Sequence, residues 1–437
     1  MEAIKSVAPL RVIGWLSLAA LAINNTIGAG IFALPASAAA LLGPYSPFAF
    51  LLAGIAIFLI ALCFAEAGSQ FDRSGGPYLY ASAAFGPLVG FEVGWLTIVA
   101  RITALGAISN TFSAYLGYFW PVLGRGMGQF ASITLLTAAL AALNYVGVRQ
   151  GMVAVNVFTI GKLIPLVVFC VAGLFFLHVR NFAMSTAPAA DAMQRATLML
   201  VFAFGGFEAA SIPTEEVLDP RRALPRAILF SVGTVVALFL LIQVVAVGTF
   251  PGLASSATPL ASAAASFLGP AGGLLLTAGA LLSTIGTTSN IMLHGPRSLY
   301  AQAARGQLPK VFARIHPRYR TPTVSVLALA FTGWVLAITG TFTQLVALTT
   351  LSRLLYYLTT CLAVPVLRRT MPASGARFRL PGGGTIPILA VAVCVWLLAG
   401  SSWKEAAMTG AALLVGAGFY GLVLKNRTPE AVAISHE

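Results

Sequence analysis

Charged residues are scarce in this chain. Aspartate, glutamate, lysine and arginine together make up 9% of its 437 residues, against roughly 25% in a soluble globular protein. A soluble enzyme, a secreted domain and a disordered scaffold are therefore excluded. Acidic residues are rarer than basic ones, at 12 against 26. Such a balance would indicate a nucleic-acid partner in a soluble protein, but the basic residues here fall in short loops, so none is predicted.

The residues that build catalytic and cofactor sites are also few. The four cysteines lie in separate apolar runs without CxxC spacing, so neither a disulfide framework nor a zinc site is predicted. The four histidines do not cluster, and no glycine-rich loop ends in GK[ST]. ATP hydrolysis is therefore excluded as the energy source. The sequence predicts no enzyme, no metal and no cofactor.

Apolar residues dominate the composition, at 58% of the chain with a mean hydropathy of +0.90. A membrane-spanning helix needs roughly 20 apolar residues, so we expect an integral membrane protein with no sizeable soluble domain. The first span has no cleavage site after it and is expected to be retained. Twelve spans are predicted, near residues 12–41, 45–68, 86–120, 128–147, 151–177, 193–216, 225–250, 270–293, 322–339, 343–367, 385–402 and 406–424.

An even number of spans places both termini on one side of the membrane, and the basic residues indicate which side. On the N-terminus, the even-numbered connections and the C-terminus lie Lys5, Arg11, Arg73, Arg149, Arg221, Arg222, Arg226, Arg297, Arg305, Lys310, Arg314, Arg318, Arg320, Arg368, Arg369, Arg377, Arg379, Lys425 and Arg427. On the opposite face lie Arg125, Arg180, Arg195 and Lys404. By the positive-inside rule, both termini are expected in the cytoplasm and the chain in the cell (inner) membrane.

Two spans carry paired glycines beside polar groups in the middle of the membrane. The first contains Gly28 and Gly30, and the sixth contains Gly205 and Gly206 followed by Glu208. Glycine permits unwinding, so both helices are predicted to be discontinuous. The alternative is that these glycines only let helices pack closely, as small residues at such spacing do.

The two glycine pairs divide the chain into two units of five spans each. Because five is odd, the second unit enters the membrane from the opposite side, and the repeats are inverted. Broken helices at corresponding positions of inverted repeats are typical of the binding site of a transporter. The predicted organisation is a cytoplasmic N-terminus (1–11), a first repeat (12–177), a second repeat (193–367), and two further helices with a cytoplasmic C-terminus (368–437).

Three stretches resemble the amino acid permease branch of the amino acid, polyamine and organocation (APC) superfamily. They are NTIGAGIFALP at 25–35, FGGFEA at 204–209 with DPRRALP at 219–225, and RSLYAQAARGQLPK at 297–310. The resemblance covers nearly the whole chain. It implies an all-α, LeuT-like fold of twelve transmembrane helices, with two inverted five-helix repeats plus two C-terminal helices. It also implies amino acid or amine substrates and alternating access.

The two helix breaks would then hold a zwitterionic amino acid. Its carboxylate would accept hydrogen bonds from backbone N–H groups where the second half of the first span begins. The ammonium of the amino acid would meet carbonyls at the ends of the first half-helices. Phe204 and Phe207 would line the side chain of the amino acid, and the alternative role of these two residues is packing between helices. The predicted substrate-binding residues are Ile23, Thr26, Ile27, Gly28, Ala29, Gly30, Ile31, Phe202, Ala203, Phe204, Gly205 and Phe207.

Three ionisable residues inside spans are predicted to act in coupling or gating. Glu208 follows the second break, and the family often has an acid there, so a gating hydrogen bond is preferred over recognition of a cation. Arg101, in the third span at similar depth, is its predicted partner. Lys162 lies in the fifth span with no acid within one turn. An isolated ammonium there is costly, so we expect Lys162 to change its charge during the cycle and to couple transport to protons.

Alternatives remain for Lys162 and for the function. In two other interpretations, Lys162 carries a fixed charge or extends to the membrane surface. Hydroxyl groups of the eighth span leave sodium coupling as a separate alternative. The sequence thus predicts a secondary active transporter, with proton-coupled uptake of neutral amino acids as the preferred function. An amino acid exchanger, a sodium-coupled symporter, and a non-transporting membrane sensor or channel are the alternatives.

Overall fold

The computed structural model describes residues 11–147, 152–183, 187–212, 214–371 and 378–425, with side chains except at 152–157 and 423–425. The described residues form α-helices joined by short 3₁₀ turns, and their extended pairing is limited to one bridge between Ile13 and Val217. Most of the two predicted cytoplasmic termini (1–10 and 426–437), as well as Arg149 and Arg377, lie outside the described residues.

Fourteen α-helices are present in the described ranges. They are α1 (Trp15–Thr26), α2 (Gly30–Leu42), α3 (Ser46–Gly68), α4 (Pro77–Phe85), α5 (Pro87–Phe119), α6 (Gly126–Val146), α7 (Met152–Gly173), α8 (Ala190–Phe204), α9 (Pro220–Thr249), α10 (Pro259–Ala304), α11 (Thr323–Thr339), α12 (Phe342–Thr370), α13 (Thr385–Ala399) and α14 (Trp403–Lys425). Eight segments of the described chain are long and apolar enough to cross a membrane, and α11 and α13 are shorter apolar helices.

Several helix ends follow directly from the sequence. A capping box starts α12, where Thr341 and Gln344 each accept a hydrogen bond from the other's backbone N–H. Gly269, with φ 67°, bends α10 between a short first segment and the long span. The segment between the seventh and eighth predicted spans is helical from Pro259 onward. The separate helix α4, between the second and third predicted spans, was not expected from the sequence.

The outer surface of the bundle is apolar, as expected for a protein that faces lipid. Leu135 is 73% exposed, Ile388 67% and Leu414 75%. In water such a surface would be unfavourable, whereas lipid solvates it without cost. The interior holds small residues and aromatic rings, among them a cluster in which Phe64 contacts Tyr80, Phe207 and Tyr357 edge to face.

The discontinuous elements lie at the centre of this bundle. α1 packs on α9 and on the 3₁₀ turn that follows α8, while α2 packs on α8 itself. α5 lies against α10 and α12, and α7 lies against α10. The two broken segments are therefore enclosed by α3, α5, α7, α9, α10 and α12.

Candidate functional site

The first span is broken at the glycines, as predicted. α1 ends at Thr26 and α2 begins at Gly30, with Ile27 at ψ 85° between them. The N–H of Gly28 donates to the carbonyl of Thr26 at 2.8 Å. The next N–H groups, those of Ala29, Gly30 and Ile31, reach no acceptor among the described residues. A helix thus begins inside the protein with unused donors, the arrangement that favours an anion.

The sixth span is broken in the same way. α8 ends at Phe204, Gly205 is extended at ψ 144°, and Gly206 has φ 129° before a 3₁₀ turn from Phe207 to Ser211. A side chain at Gly206 would stand 2.6 Å from the carbonyl oxygen of Asn25. A side chain at Gly30 would stand 2.8 Å from the Cα of Ala203. Glycine is therefore needed at both positions because the two breaks face each other backbone to backbone.

The carbonyl groups at the breaks are only partly available. The carbonyls of Ile23 and Thr26 accept from the N–H groups of Ile27 and Gly28. The carbonyl of Phe202 accepts from Arg353 Nη1 at 2.9 Å. No donor among the described residues reaches the carbonyls of Ala203 and Gly205. Of the carbonyls predicted to meet a ligand ammonium, those of Ala203 and Gly205 are the ones left for it.

Lys162 lies against the first break. Its Nζ donates to the carbonyl oxygens of Asn24 at 2.6 Å and Ile27 at 2.7 Å, and the residue is 4% exposed. The ammonium thus satisfies carbonyls that the end of α1 leaves without helical partners. This burial contradicts the interpretation in which Lys162 extends to the membrane surface.

Glu208 is held by tyrosines. Tyr356 Oη donates to one carboxylate oxygen at 2.8 Å, and Tyr357 Oη donates to the other at 3.0 Å. The N–H of Gly206 donates to the oxygen that Tyr357 contacts, at a distance of 2.8 Å. The carboxylate therefore ties the second break to α12.

The predicted pairing of Glu208 with Arg101 is wrong. Arg101 Nη1 donates to Ser298 Oγ at 3.3 Å, and the described residues contain no ion pair between Arg101 and Glu208. The pairing was predicted because the two residues lie at similar depth in their spans. Depth alone does not determine which face of each helix a side chain occupies. The short tyrosine contacts occupy the carboxylate instead.

Phe204 and Phe207 are buried between helices in this structure. The ring of Phe204 packs on Phe239 of α9 with 5.1 Å between the ring centroids, and the ring of Phe207 packs on Phe64 with 5.3 Å between the centroids. Both side chains are at most 1% exposed. Their observed contacts are those of the packing alternative.

A cavity of about 810 Å³ is lined in part by α2, the helix that follows the first break. It lies between α2, α5, α6, α11 and the start of α12. Phe342 belongs to its wall, and the ring of Phe342 meets the ring of Phe202 edge to face at 6.5 Å. Two polar side chains of the wall are joined, because Gln129 Nε2 donates to Asn110 Oδ1 at 2.9 Å.

Sequence reasoning did not find the tyrosines or the role of Arg353. Tyr356 and Tyr357 lie in the tenth predicted span, twelve and eleven positions before Arg368, and nothing local marks them as hydrogen-bond donors to a distant carboxylate. Arg353 is the one of these residues with a usable signal, since an arginine in the middle of a span indicates a function. Asn290 of α10, which donates to Asn25 Oδ1, was missed as well.

Comparison with known proteins decides the family. The family model described as amino acid permease matches residues 13–415. The chain belongs to the amino acid permease family. It is thus a member of a family of multi-span membrane transporters rather than of enzymes. Its relatives among curated proteins include the branched-chain amino acid permease BcaP of Bacillus subtilis, 28% identical over 96% of this permease and 94% of the relative.

Two further relatives of this permease bear other names. The serine/threonine exchanger SteT of Bacillus subtilis is 28% identical over 92% of this chain and 94% of its own. The large neutral amino acids transporter small subunit 2 of Mus musculus is 29% identical over 94% of this chain and 80% of its own. Permeases and exchangers both occur among the relatives.

Proposed function

We propose that the protein is a secondary active transporter of neutral amino acids that works by alternating access. The observation that carries this proposal is the pair of helix breaks that face each other at the centre of the bundle. Unused N–H groups at the start of α2 suit a carboxylate, and the free carbonyls of Ala203 and Gly205 suit an ammonium. A zwitterion matches both ends. The names of the relatives support amino acids as the substrate class.

The helix packing supports two inverted repeats within twelve spans. In our assignment α1 with α2, α3, α5, α6 and α7 form the first repeat, and α8 to α12 form the second. In two such repeats α5 corresponds to α10 and α12 to α7, so the α5–α12 contact corresponds to the α10–α7 contact. Likewise α1 corresponds to α8 and α9 to α3, so the α1–α9 contact corresponds to the α8–α3 contact. All four contacts occur. A pseudo-symmetric scaffold of this kind lets one half move against the other around a fixed site.

In this proposal, the predicted binding residues act through their backbones at 23–31 and 202–205. Phe204 and Phe207 shape the site by fixing the second break against α9 and α3. We place the protein in the cell membrane with both termini in the cytoplasm, as the distribution of basic residues predicts. The cavity between α2, α6 and α12 then opens to the outside.

We further propose that Lys162 couples transport to protons. Its ammonium holds the carbonyls of Asn24 and Ile27, so loss of a proton weakens the contact between α7 and the end of α1. A sodium ion at this place would need the carbonyls of the first span as ligands, and the ammonium of Lys162 already binds them. The ammonium would also repel a second cation beside it. Hydroxyls of Ser283, Thr288 and Ser289 have no partner among the described residues, but Lys162 already fills the carbonyl side of such a site.

Amino acid exchange is the second candidate. A lysine that keeps its proton would hold the break permanently, and its two carbonyl contacts are compatible with that state. Reconstituted proteoliposomes separate the candidates. Proton coupling predicts that labelled amino acids accumulate when an inward proton gradient is imposed without sodium. Exchange predicts uptake that ignores the gradient but needs amino acid inside, and absence of any uptake from a panel of labelled amino acids would contradict the transporter proposal.

A further inference from the structure

Arg353 lies in the middle of α12 and reaches the second break. Its Nη1 donates to the carbonyl of Phe202, the last but two residue of α8, and its guanidinium lies over the ring of the same residue at 5.7 Å. A side chain at Gly205 would overlap the guanidinium. The charge is therefore in direct contact with the residues that border the proposed ammonium position.

The positive charge of Arg353 is not neutralised by direct contact. Within the described residues it forms no ion pair, and its Nε is buried without a hydrogen-bond partner. Glu208 attracts the guanidinium across the break, but its oxygens accept hydrogen bonds from two tyrosine hydroxyls and one N–H rather than from Arg353. Lys162 and Arg101 add two more cations at the core of the bundle. With Lys162 protonated, three cations thus lie near one carboxylate.

Arg353 is connected to the wall of the cavity through the ring of Phe202. The ring of Phe342 belongs to that wall and meets the ring of Phe202, and the guanidinium of Arg353 lies over the same Phe202 ring. A solute that moves inward from the cavity past these two rings therefore approaches the charge of Arg353.

We propose that Arg353 is a specificity-determining residue that excludes amino acids with cationic side chains. This inference rests on the proposed function, because it assigns the charge class of the substrate at the same site. The α-ammonium of every amino acid is matched by its own carboxylate, which the N–H groups of α2 hold nearby. A second ammonium or guanidinium has no such counterion. Repulsion between two unit charges about 6 Å apart in a protein interior corresponds to discrimination on the order of 100-fold.

The experiment compares competitors that share a shape and differ in charge. Proteoliposomes take up a labelled amino acid that the wild-type protein accumulates, and unlabelled lysine is compared with norleucine, and arginine with citrulline. For the wild type we expect norleucine and citrulline to inhibit uptake at concentrations at least about tenfold lower than their charged counterparts. Equal inhibition within each pair overturns the proposal.

Variants assign the discrimination to this residue. Arg353→Gln keeps a donor for the carbonyl of Phe202 and removes the charge, so lysine should then inhibit nearly as well as norleucine. Arg353→Lys keeps the charge and should keep the discrimination. Arg226→Gln removes an exposed charge from α9 and should leave both ratios at the wild-type value. Unchanged discrimination in Arg353→Gln would assign Arg353 a role in packing alone.

A second variant covers the case in which Arg353→Gln does not fold. In Arg353→His, the ratio of lysine to norleucine inhibition should fall as the external pH rises and the imidazole loses its charge. Effects of pH that are common to both competitors cancel in this ratio. A ratio that does not change with pH contradicts the proposal. Failure of the proposed function is distinguishable, because in that case the wild-type protein accumulates no labelled amino acid at all.

Discussion

Lys162 Nζ lies 2.7 Å from the carbonyl oxygen of Ile27, the residue that separates α1 from the turn into α2. One side chain of α7 thus supplies the hydrogen bonds that the interrupted helix cannot make for itself. Any change in the charge or length of this side chain acts directly on the first break.

Replacing Lys162 is expected to uncouple transport from the proton gradient. Lys162→Ala leaves two buried carbonyls without donors, and accumulation driven by an imposed proton gradient in proteoliposomes should be lost. Lys162→Arg keeps a permanent charge, so it should also lose gradient-driven accumulation while it retains exchange of internal for external substrate. Lys404→Ala, at an exposed position of α14, is the matched control. Gradient-driven accumulation at the wild-type level in Lys162→Ala would remove this residue from the coupling mechanism.

The tyrosines around Glu208 should matter for both stability and transport. Hydrogen bonds to a charged group contribute about 1.5–3 kcal/mol each, so Tyr356→Phe and Tyr357→Phe should each lower the melting temperature in detergent. Both changes should also lower the rate of uptake, because the carboxylate then holds the second break less firmly. In Tyr420→Phe the lost hydroxyl has no partner among the described residues, and this control should behave as the wild type. A double variant no worse than either single variant would show that the two hydroxyls act as one unit.

The glycines of the second break should tolerate no side chain. A methyl group at Gly206 would lie 2.6 Å from the carbonyl oxygen of Asn25 at a φ of 129°, and one at Gly205 would overlap Arg353. We therefore expect Gly206→Ala and Gly205→Ala to lose transport and to melt at lower temperature. Gly233 of α9 has nothing within 4 Å of the position of a Cβ. Gly233→Ala should fold normally or gain up to about 1 kcal/mol, and equal behaviour of all three variants would contradict the close contact of the breaks.

The sequence predicted the backbone of this site better than its side-chain partners. Glycine pairs beside Asn25 and Glu208 indicated where the helices break, because glycine destabilises the interior of a helix and lets two backbones approach closely. Lys162 was also predicted to matter, since an isolated ammonium inside a span needs a partner. Its partners are carbonyls of Asn24 and Ile27, and they become acceptors only once the first break exists.

The contacts between distant helices could not be predicted in the same way. Arg101 and Glu208 lie at similar depths, but depth leaves the rotation of each helix open, and rotation decides which side chains meet. Tyr356 and Tyr357 are consecutive residues that reach the two oxygens of one carboxylate, a geometry that depends on where α12 crosses the second break. The pattern of a single helix contains no information about that crossing.

Glu66 and Arg368 form a buried ion pair at the ends of α3 and α12. Arg368 Nε and Nη2 lie 2.5 and 2.7 Å from the two carboxylate oxygens, and the side chain of Glu66 is 2% exposed. The N–H of Leu380 donates to the same carboxylate at 2.9 Å. The pair therefore joins α3, α12 and the segment that leads to α13, on the side that we assign to the cytoplasm.

Removing one partner of this pair should be more harmful than removing both. Arg368→Gln leaves a buried carboxylate without its counterion, which costs about 3–5 kcal/mol in comparable cases, and Glu66→Gln leaves the guanidinium in the same position. The double variant has no uncompensated charge, and its amide groups can bond to each other. We expect melting temperatures in detergent to fall strongly for both single variants and to recover in part for the double variant. The exposed pair of Arg222 and Asp219, 3.9 Å apart, is the control, and its loss should change little. Additive losses in the Glu66 and Arg368 cycle would mean that the two charges do not stabilise each other, and that this end of α12 is held by apolar packing.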